Sequence, residues 1–428
     1  MKVAFCTLGC KVNQYDTDAM QALFVKAGHK VVNFDESADV YIVNTCTVTS
    51  MGDKKSRQMV SRAHARNPQA AVVVAGCFAQ SAPEEASSLP GVCAVAGTAE
   101  RAQIVRIAED ALAGIRRTEV PAYRGRAAFE ELDVSREGRT RAYLKIQDGC
   151  DRYCAYCIIP YVRGPVRSRT LADVRRQLEA LEAEGYKEIV LTGIHLMSYG
   201  KDLQSTALLD AVAQADGLQG IRRIRLGSLE PQMFSEAFVR ALAENPLVCR
   251  QFHLSLQSGS AAVLARMGRR YTPEEYAQCV QTLREAMPGC AVTTDIIAGF
   301  PGETDAEFEE TLAFAKRVAL SRVHVFPFSA RKGTKAHDMP DQVDAELKKE
   351  RAARLIVLGK ELEAVFAKSH VDRVEEILFE ERRGAYLIGH TGTYVRTKVR
   401  TDADLIGEIA KVKTLASRAN ALEGDIIS

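Results

Sequence analysis

The chain has 428 residues, enough at roughly 150 per domain for about three domains with real cores. Apolar residues make up 46% and charged residues 26%, an ordinary globular composition that excludes wholesale disorder. With 57 Lys and Arg against 55 Asp and Glu, the formal charge of +2 provides no whole-protein field to attract a nucleic acid or a membrane surface.

In chain order, the N-terminus reaches Lys11 and Asn13 before a signal-peptide core can form, and apolar runs such as Ala70 to Gly76 are far too short to span a bilayer. The expectation is an unexported, cytoplasmic protein with no membrane partner. Residues 1–115 alternate short apolar runs with helical stretches: strands are predicted at Lys2–Leu8, Lys30–Asn33, Val40–Asn44, Ala71–Ala75 and Val92–Ala96. That alternation predicts an α/β, doubly wound, flavodoxin-like domain. Residues 116–140 read as a linker broken by Pro121, Gly125 and Gly138. Between Arg116 and Arg169 stand twelve Lys/Arg and seven Asp/Glu, either a solvated face or a basic strip touching a polyanion.

Strand–helix alternation returns from 141 to about 330, within a domain expected over 141–368, with strands at Ala142–Ile146, Glu188–Leu191, Ile221–Leu226, Gln251–Leu256, Val292–Ile297 and Arg322–Phe328. Six repeats suit a partial (β/α)6 TIM-like barrel rather than the closed eight-strand form. Residues 340–368 predict one charged amphipathic helix. From 369 to 428, short strands at Val374–Phe379, Gly384–Thr391, Thr393–Thr401 and Glu408–Leu415 predict a small β-barrel. Alternation along it puts Tyr394, Arg396, Lys398 and Arg400 on one face, which reads either as solvated surface or as a grip for single-stranded RNA.

Eleven cysteines are an odd count and fit a disulfide framework poorly in a reducing compartment. Cys150, Cys154 and Cys157 directly follow the first barrel strand, where α/β folds bind ligands. Structural zinc calls for four ligands, whereas a cluster held by three cysteines leaves one iron open. Cys10, Cys46 and Cys77 each follow a strand of the first domain, so a shared sheet rim would bring them together. The other cysteines read as core or surface residues, and His195 and His390 as structural.

Cys150-Asp151-Arg152-Tyr153-Cys154-Ala155-Tyr156-Cys157 resembles the signature of radical S-adenosylmethionine (SAM) enzymes. With Cys10, Cys46 and Cys77, and with Leu254-Ser255-Leu256-Gln257-Ser258-Gly259-Ser260 and Asp295-Ile296-Ile297-Ala298-Gly299-Phe300-Pro301-Gly302-Glu303-Thr304, the chain resembles the methylthiotransferase family over nearly its whole length. Lys11-Val12-Asn13-Gln14 is similar to the branch that modifies threonylcarbamoyladenosine at position 37 of tRNA. Sister groups act on isopentenyladenosine in tRNA or on an aspartate of ribosomal protein S12.

The resemblance implies a radical SAM core, a C-terminal TRAM domain that binds RNA, and two 4Fe-4S clusters. Cys150, Cys154 and Cys157 would hold the cluster that binds SAM and cleaves it to a 5′-deoxyadenosyl radical. Cys10, Cys46 and Cys77 would hold the cluster that carries the sulfur. Tyr156, Thr192, Gly193, Gln257, Ser258 and Gly299 would contact SAM, and Arg331 and Lys332, or Arg269 and Arg270, are candidate cations for the substrate carboxylate. Implied partners are the tRNA anticodon stem-loop, a flavodoxin or ferredoxin as electron donor, and a sulfur source. A chain of another class, a non-enzymatic iron–sulfur RNA-binding sensor, would need no SAM cleavage.

Overall fold

The computed structural model describes residues 1–118, 120–123, 128–134, 140–204 and 206–427. Five parallel strands, β1 (Lys2–Thr7), β2 (Lys30–Val32), β3 (Val40–Thr45), β4 (Ala71–Gly76) and β5 (Val92–Ala96), form a sheet in the order β2-β1-β3-β4-β5. This is the doubly wound order expected, with its switch point between β1 and β3. Every residue of β3 and β4 is buried, because helices cover both faces. On one face Val3, Ile42 and Val73 pack with Phe24 and Ile107; on the other Tyr41, Val43 and Val74 pack with Val60 and Phe78. Helix α1 (Lys11–Lys26) follows β1, and α2 (Ser50–Arg66) follows β3, capped by the Thr49 hydroxyl, which accepts from Gly52 N at 3.1 Å.

Arg141–Lys145, Glu188–Thr192, Arg223–Leu226, Gln251–Leu254, Ala291–Ala298 and Arg322–Pro327 supply the six parallel strands of the partial barrel. The first three form one sheet segment and the last three, with the short strand Ser228–Leu229, another; a bridge between Ile224 and Val248 joins them. Helix Ala345–Lys368 packs on the last strand and shields it. Among the described residues no strand pairing joins the first strand to the last, so the barrel stays open on that side.

A closed five-stranded barrel of Val374–Arg383, Tyr386–Thr391, Arg396–Arg400, Ile409–Arg418 and Ala421–Ile426 ends the chain. Its last strand was not anticipated from the sequence. The turn into it is made by Ala419 and Asn420, both at positive φ (47° and 60°), rather than by a glycine that would mark a hairpin. Ile377, Phe379, Leu387, Val399 and Val412 fill its core.

The predicted linker needs correction where it is described; Gly125 and Gly138 lie outside the described residues. Glu130 pairs with Arg101, the Glu131 carboxylate accepts from the Thr170 hydroxyl at 2.8 Å, and Asp133 meets Arg176 at 2.7 Å. This stretch is therefore strapped across the junction of sheet and barrel. The basic strip needs correction in its described part, since Lys145, Arg163, Arg167 and Arg169 are buried and face no polyanion, while Arg124, Arg126, Arg136 and Arg139 lie outside the described residues. Lys145, Arg163 and Arg167 neutralise Asp16 and Asp148, and Arg169 pairs with Asp173.

Candidate active site

Because β1, β3 and β4 are parallel neighbours, their C-terminal ends share one rim. Cys10 caps the start of α1, Cys46 follows β3, and Cys77 opens a short helix after β4. The loops touch: Gly9 has φ +103°, and a Cβ there would lie 2.9 Å from Cys46 Cβ and 3.1 Å from its Sγ. Gly76, at φ +89°, has no room for a Cβ, which would meet Asn44 Oδ1 at 2.3 Å. The Asn13 side-chain amide ties the rim together, donating to Leu8 O at 2.7 Å and Thr45 O at 2.9 Å. Burial pushes the Cys46 thiol up to about 12, and the neighbouring Cys77 and Cys10 sulfurs add to the rise.

The second loop is held from several sides. Cys150 N donates to Gly164 O at 3.0 Å, Ala155 N to Met267 O at 2.8 Å, and Ala336 N to Ala155 O at 2.8 Å. A Cβ on Gly149 would fall 1.9 Å from Pro165 O, so only glycine fits before Cys150. Burial raises the thiols of Cys150 to about 11 and Cys157 to about 12, and their mutual proximity adds. Arg269 donates toward Cys154 Sγ at 3.4 Å. Arg269, Arg152 and His195 converge on Glu230 at 3.3, 2.7 and 2.8 Å. Burial alone would raise the Glu230 carboxyl, but His195, Arg269 and Arg152 outweigh it and hold it at about 2.

The two loops face each other. Cys77 packs on Ile158 and Val162, just past Cys157, and the Thr98 hydroxyl donates to Val162 O at 2.6 Å. A cavity of ≈ 200 Å³ is lined by Val48 and Thr49 from the rim and by Tyr156, Cys157, Gln257 and Asp295 from the barrel. Ser50 N donates to Ser329 Oγ at 2.9 Å, and Arg331 reaches Thr47 at 2.7 Å and pairs with Asp53, closing the rim onto the barrel mouth.

Of the expected SAM contacts, Tyr156 and Gln257 line this cavity. Thr192 and Gly193 stand at the end of their strand, with Gly193 against the Gln147 side chain. The Ser258 hydroxyl is turned away to Thr311 Oγ1 at 3.1 Å, and Gly299 lies against Lys348, its N–H on Glu303 at 2.8 Å. Of the candidate carboxylate readers, Arg331 and Arg269 are engaged by Asp53 and Glu230. Arg270 and Lys332 are exposed.

On the C-terminal barrel, Arg396, Lys398 and Arg400 share one face, Lys398 pairing with Glu423 at 2.8 Å. Tyr394 does not join them. It precedes the strand at φ +69°, which takes it off the alternation. Its ring stacks on His390 and lies 4.9 Å from the Arg141 and 4.8 Å from the Arg225 guanidinium. There Arg141 donates to the Tyr394 hydroxyl at 2.8 Å, and Arg141, Arg223 and Arg225 surround the buried Glu188. Tyr394 is thus a dock for the barrel floor and not a platform for bases.

Glu230 and the Asp16–Asp148–Arg163 network are the functional neighbours that sequence reasoning missed. Isolated charges carry no period, and only the six-residue step from Cys157 to Arg163 hinted at a link.

Among the described residues no three Cys, His, Asp or Glu side chains converge on the position of a single metal ion. An iron–sulfur cluster spans several atoms and needs its thiolates spaced around it. The donor chemistry fits such a group: three thiols at each site, glycines at Gly9 and Gly149 where side chains would intrude, and a buried Arg163 Nε without a hydrogen-bond partner. Among the described residues no helix is long and apolar enough to cross a membrane.

Residues 144–315 match the radical SAM superfamily, and residues 2–98 match the family described as uncharacterized protein family UPF0004. Threonylcarbamoyladenosine tRNA methylthiotransferase MtaB of Bacillus subtilis is 41% identical, the alignment covering 99% of this chain and 96% of that one. The protein of the same name from Thermotoga maritima is 38% identical over 98% of each chain. A tRNA-2-methylthio-N(6)-dimethylallyladenosine synthase of Aquifex aeolicus is 33% identical over 98% of this chain and 97% of its own. Among solved structures, the radical SAM methyltransferase TsrM of Kitasatospora setae, with cobalamin and a [4Fe-4S] cluster bound, aligns with a TM-score of 0.59. It is 15% identical over 78% of this chain and 74% of that one, a likeness of fold alone.

Proposed function

The chain belongs to the radical SAM methylthiotransferase family, and from that membership we propose that it places a methylthio group on C2 of N6-threonylcarbamoyladenosine, just 3′ of the anticodon in tRNA. It is a transferase that uses SAM and 4Fe-4S clusters. The observation that supports the reading is that the two cysteine loops lie side by side: Cys77 packs on Ile158 and Val162, and Val48 and Thr49, just past Cys46, share a cavity with Tyr156 and Cys157, which would let sulfur delivery and hydrogen removal act on one carbon.

Cys150, Cys154 and Cys157 would hold one cluster and Cys10, Cys46 and Cys77 the other. When bound, these groups supply the one-electron cleavage of SAM and the sulfur, chemistry beyond any protein acid or base at an aromatic C–H. The chain's own residues position and seclude the reactants. Arg269, braced by Glu230, steadies the Cys154 side of its loop. Ile297, Phe326 and Phe328 supply an apolar wall that excludes water. With Arg331 and Arg269 engaged, the exposed Arg270 and Lys332 are the candidates to meet the threonylcarbamoyl carboxylate. Arg396, Lys398 and Arg400 on the C-terminal TRAM barrel would hold the anticodon stem-loop. An electron donor of the flavodoxin or ferredoxin type, a sulfur source and a cytoplasmic setting complete the reading.

The test is anaerobic turnover of the reconstituted protein with dithionite, SAM and tRNA bearing either threonylcarbamoyladenosine or isopentenyladenosine. Deoxyadenosine and methylthio product on the first tRNA alone are expected. Product on the isopentenyl tRNA would reassign the substrate, and absence of deoxyadenosine would leave the sensor.

A further inference from the structure

Arg163 ends the short helix Ile159–Arg163 that leaves the Cys150–Cys157 loop, and it is 1% exposed. It crosses to the other loop. Nη1 donates to both Asp148 oxygens at 3.0 and 3.2 Å, while Nη2 reaches Asp16 Oδ2 at 3.1 Å and Asn13 Oδ1. Nε is buried with no hydrogen-bond partner. The guanidinium lies against the Cys77 thiol and within electrostatic reach of Cys10.

Its surroundings are crowded with charge. Among the described residues Arg101, Lys145, Arg163 and Arg167 are joined by ion pairs to Asp16, Asp148 and Glu130, and burial, with Arg101 alongside, lowers Lys145 from its ordinary value. A cation held in a dry interior is stabilised by a further anion beside it. Cys77 adjoins this network: the Asn13 oxygen that accepts from Arg163 Nη2 lies 3.9 Å from Cys77 Sγ.

We propose that Arg163 is a positioning residue that donates its Nε–H to a sulfur of the cluster on Cys10, Cys46 and Cys77, setting that cluster's reduction potential while fixing its place relative to the SAM loop. The inference rests on the reading that these three cysteines hold a cluster. A donor and positive charge at cluster sulfur favour the reduced, more negative state, so Arg163 holds the potential up.

The experiment is redox titration, followed by electron paramagnetic resonance, of a chain in which Cys150, Cys154 and Cys157 are alanine, so that the first-sheet cluster alone remains. Adding Arg163→Gln should move its midpoint to lower potential at unchanged iron and sulfide content. Arg163→Lys, which keeps the charge without the planar fork, should give a smaller shift in the same direction, and it carries the test if the glutamine variant fails to retain iron. Midpoints equal to that of the Arg163 parent would overturn the assignment. A parent that binds no iron and sulfide would overturn the cluster reading itself, and the assignment with it.

Discussion

Cys150, Cys154 and Cys157 lie within one loop, whereas Cys10, Cys46 and Cys77 come from three strand ends. The first set is held by tethers to its immediate surroundings, such as Cys150 N to Gly164 O. The second exists only because β1, β3 and β4 are parallel neighbours whose loops Asn13 clasps. A local site tolerates drift of the fold around it; a distributed site inherits every error of the sheet. They also differ in exposure: the distributed set runs from the exposed Cys10 to the buried Cys77, whereas Cys150 is buried and Cys154 and Cys157 are half-buried.

Separating the sites chemically should have the largest effect. Alanine at Cys150, Cys154 and Cys157 should abolish both deoxyadenosine and methylthiolated product. Alanine at Cys10, Cys46 and Cys77 should spare deoxyadenosine but stop methylthiolation; product from that variant, read by nucleoside mass spectrometry, would end the division of labour.

Scaffold changes sharpen the contrast. Gly76→Ala forces a Cβ to within 2.3 Å of Asn44 at positive φ, and Gly149→Ala forces one to 1.9 Å from Pro165 O. Each should cost about 2–4 kcal/mol in thermal melting and reduce iron at its own site alone. Asn13→Ala, which removes the amide's bonds to Leu8 O in its own loop and to Thr45 O across the rim together with the Oδ1 acceptor of Arg163, should cost about 2–3 kcal/mol. Its iron loss should be confined to the first-sheet site, as electron paramagnetic resonance would report.

A gentler lever is pH. The Glu230 carboxyl is held at about 2 against its ordinary 4.5, so its ion pairs stabilise the folded chain fully above about 4.5. That contribution is lost as pH falls through 4.5 toward 2. The melting difference between the apo chain and its Glu230→Gln variant should therefore be constant above pH 5 and shrink below it. A difference that persists unchanged near pH 2 would refute the brace around Arg269.

The C-terminal barrel contributes to neither loop and should show the smallest effect. Neutralising Arg396, Lys398 and Arg400 should leave both clusters intact and flatten the salt dependence of tRNA binding, by about one unit of slope per lost phosphate contact. An unchanged slope would return this face to plain solvated surface. Deleting the barrel is a poorer test, because Arg141, Arg223 and Arg225 use its Tyr394 and backbone carbonyls.

Strands such as β3 and β4 were legible because a strand buried on both faces is a continuous apolar run. The cysteine rim was legible once strand order was expected, since each thiol follows a strand. Charges were misread. Arg163 and Lys145 look like solvated cations in sequence, and only the docking of α1 on the barrel reveals the carboxylates they meet. Tyr394 was misplaced because alternation presumes an extended backbone, and one left-handed residue breaks it. The Ser258 hydroxyl, expected at SAM, meets Thr311, fifty-three residues away, a contact that no local pattern announces.

The central claim is the substrate, and nucleoside mass spectrometry of tRNA from cells lacking this protein tests it most directly. The account predicts loss of 2-methylthio-N6-threonylcarbamoyladenosine with accumulation of the unmethylthiolated nucleoside. An unchanged level, with loss of the methylthio group from isopentenyladenosine or from ribosomal protein S12 instead, would contradict it.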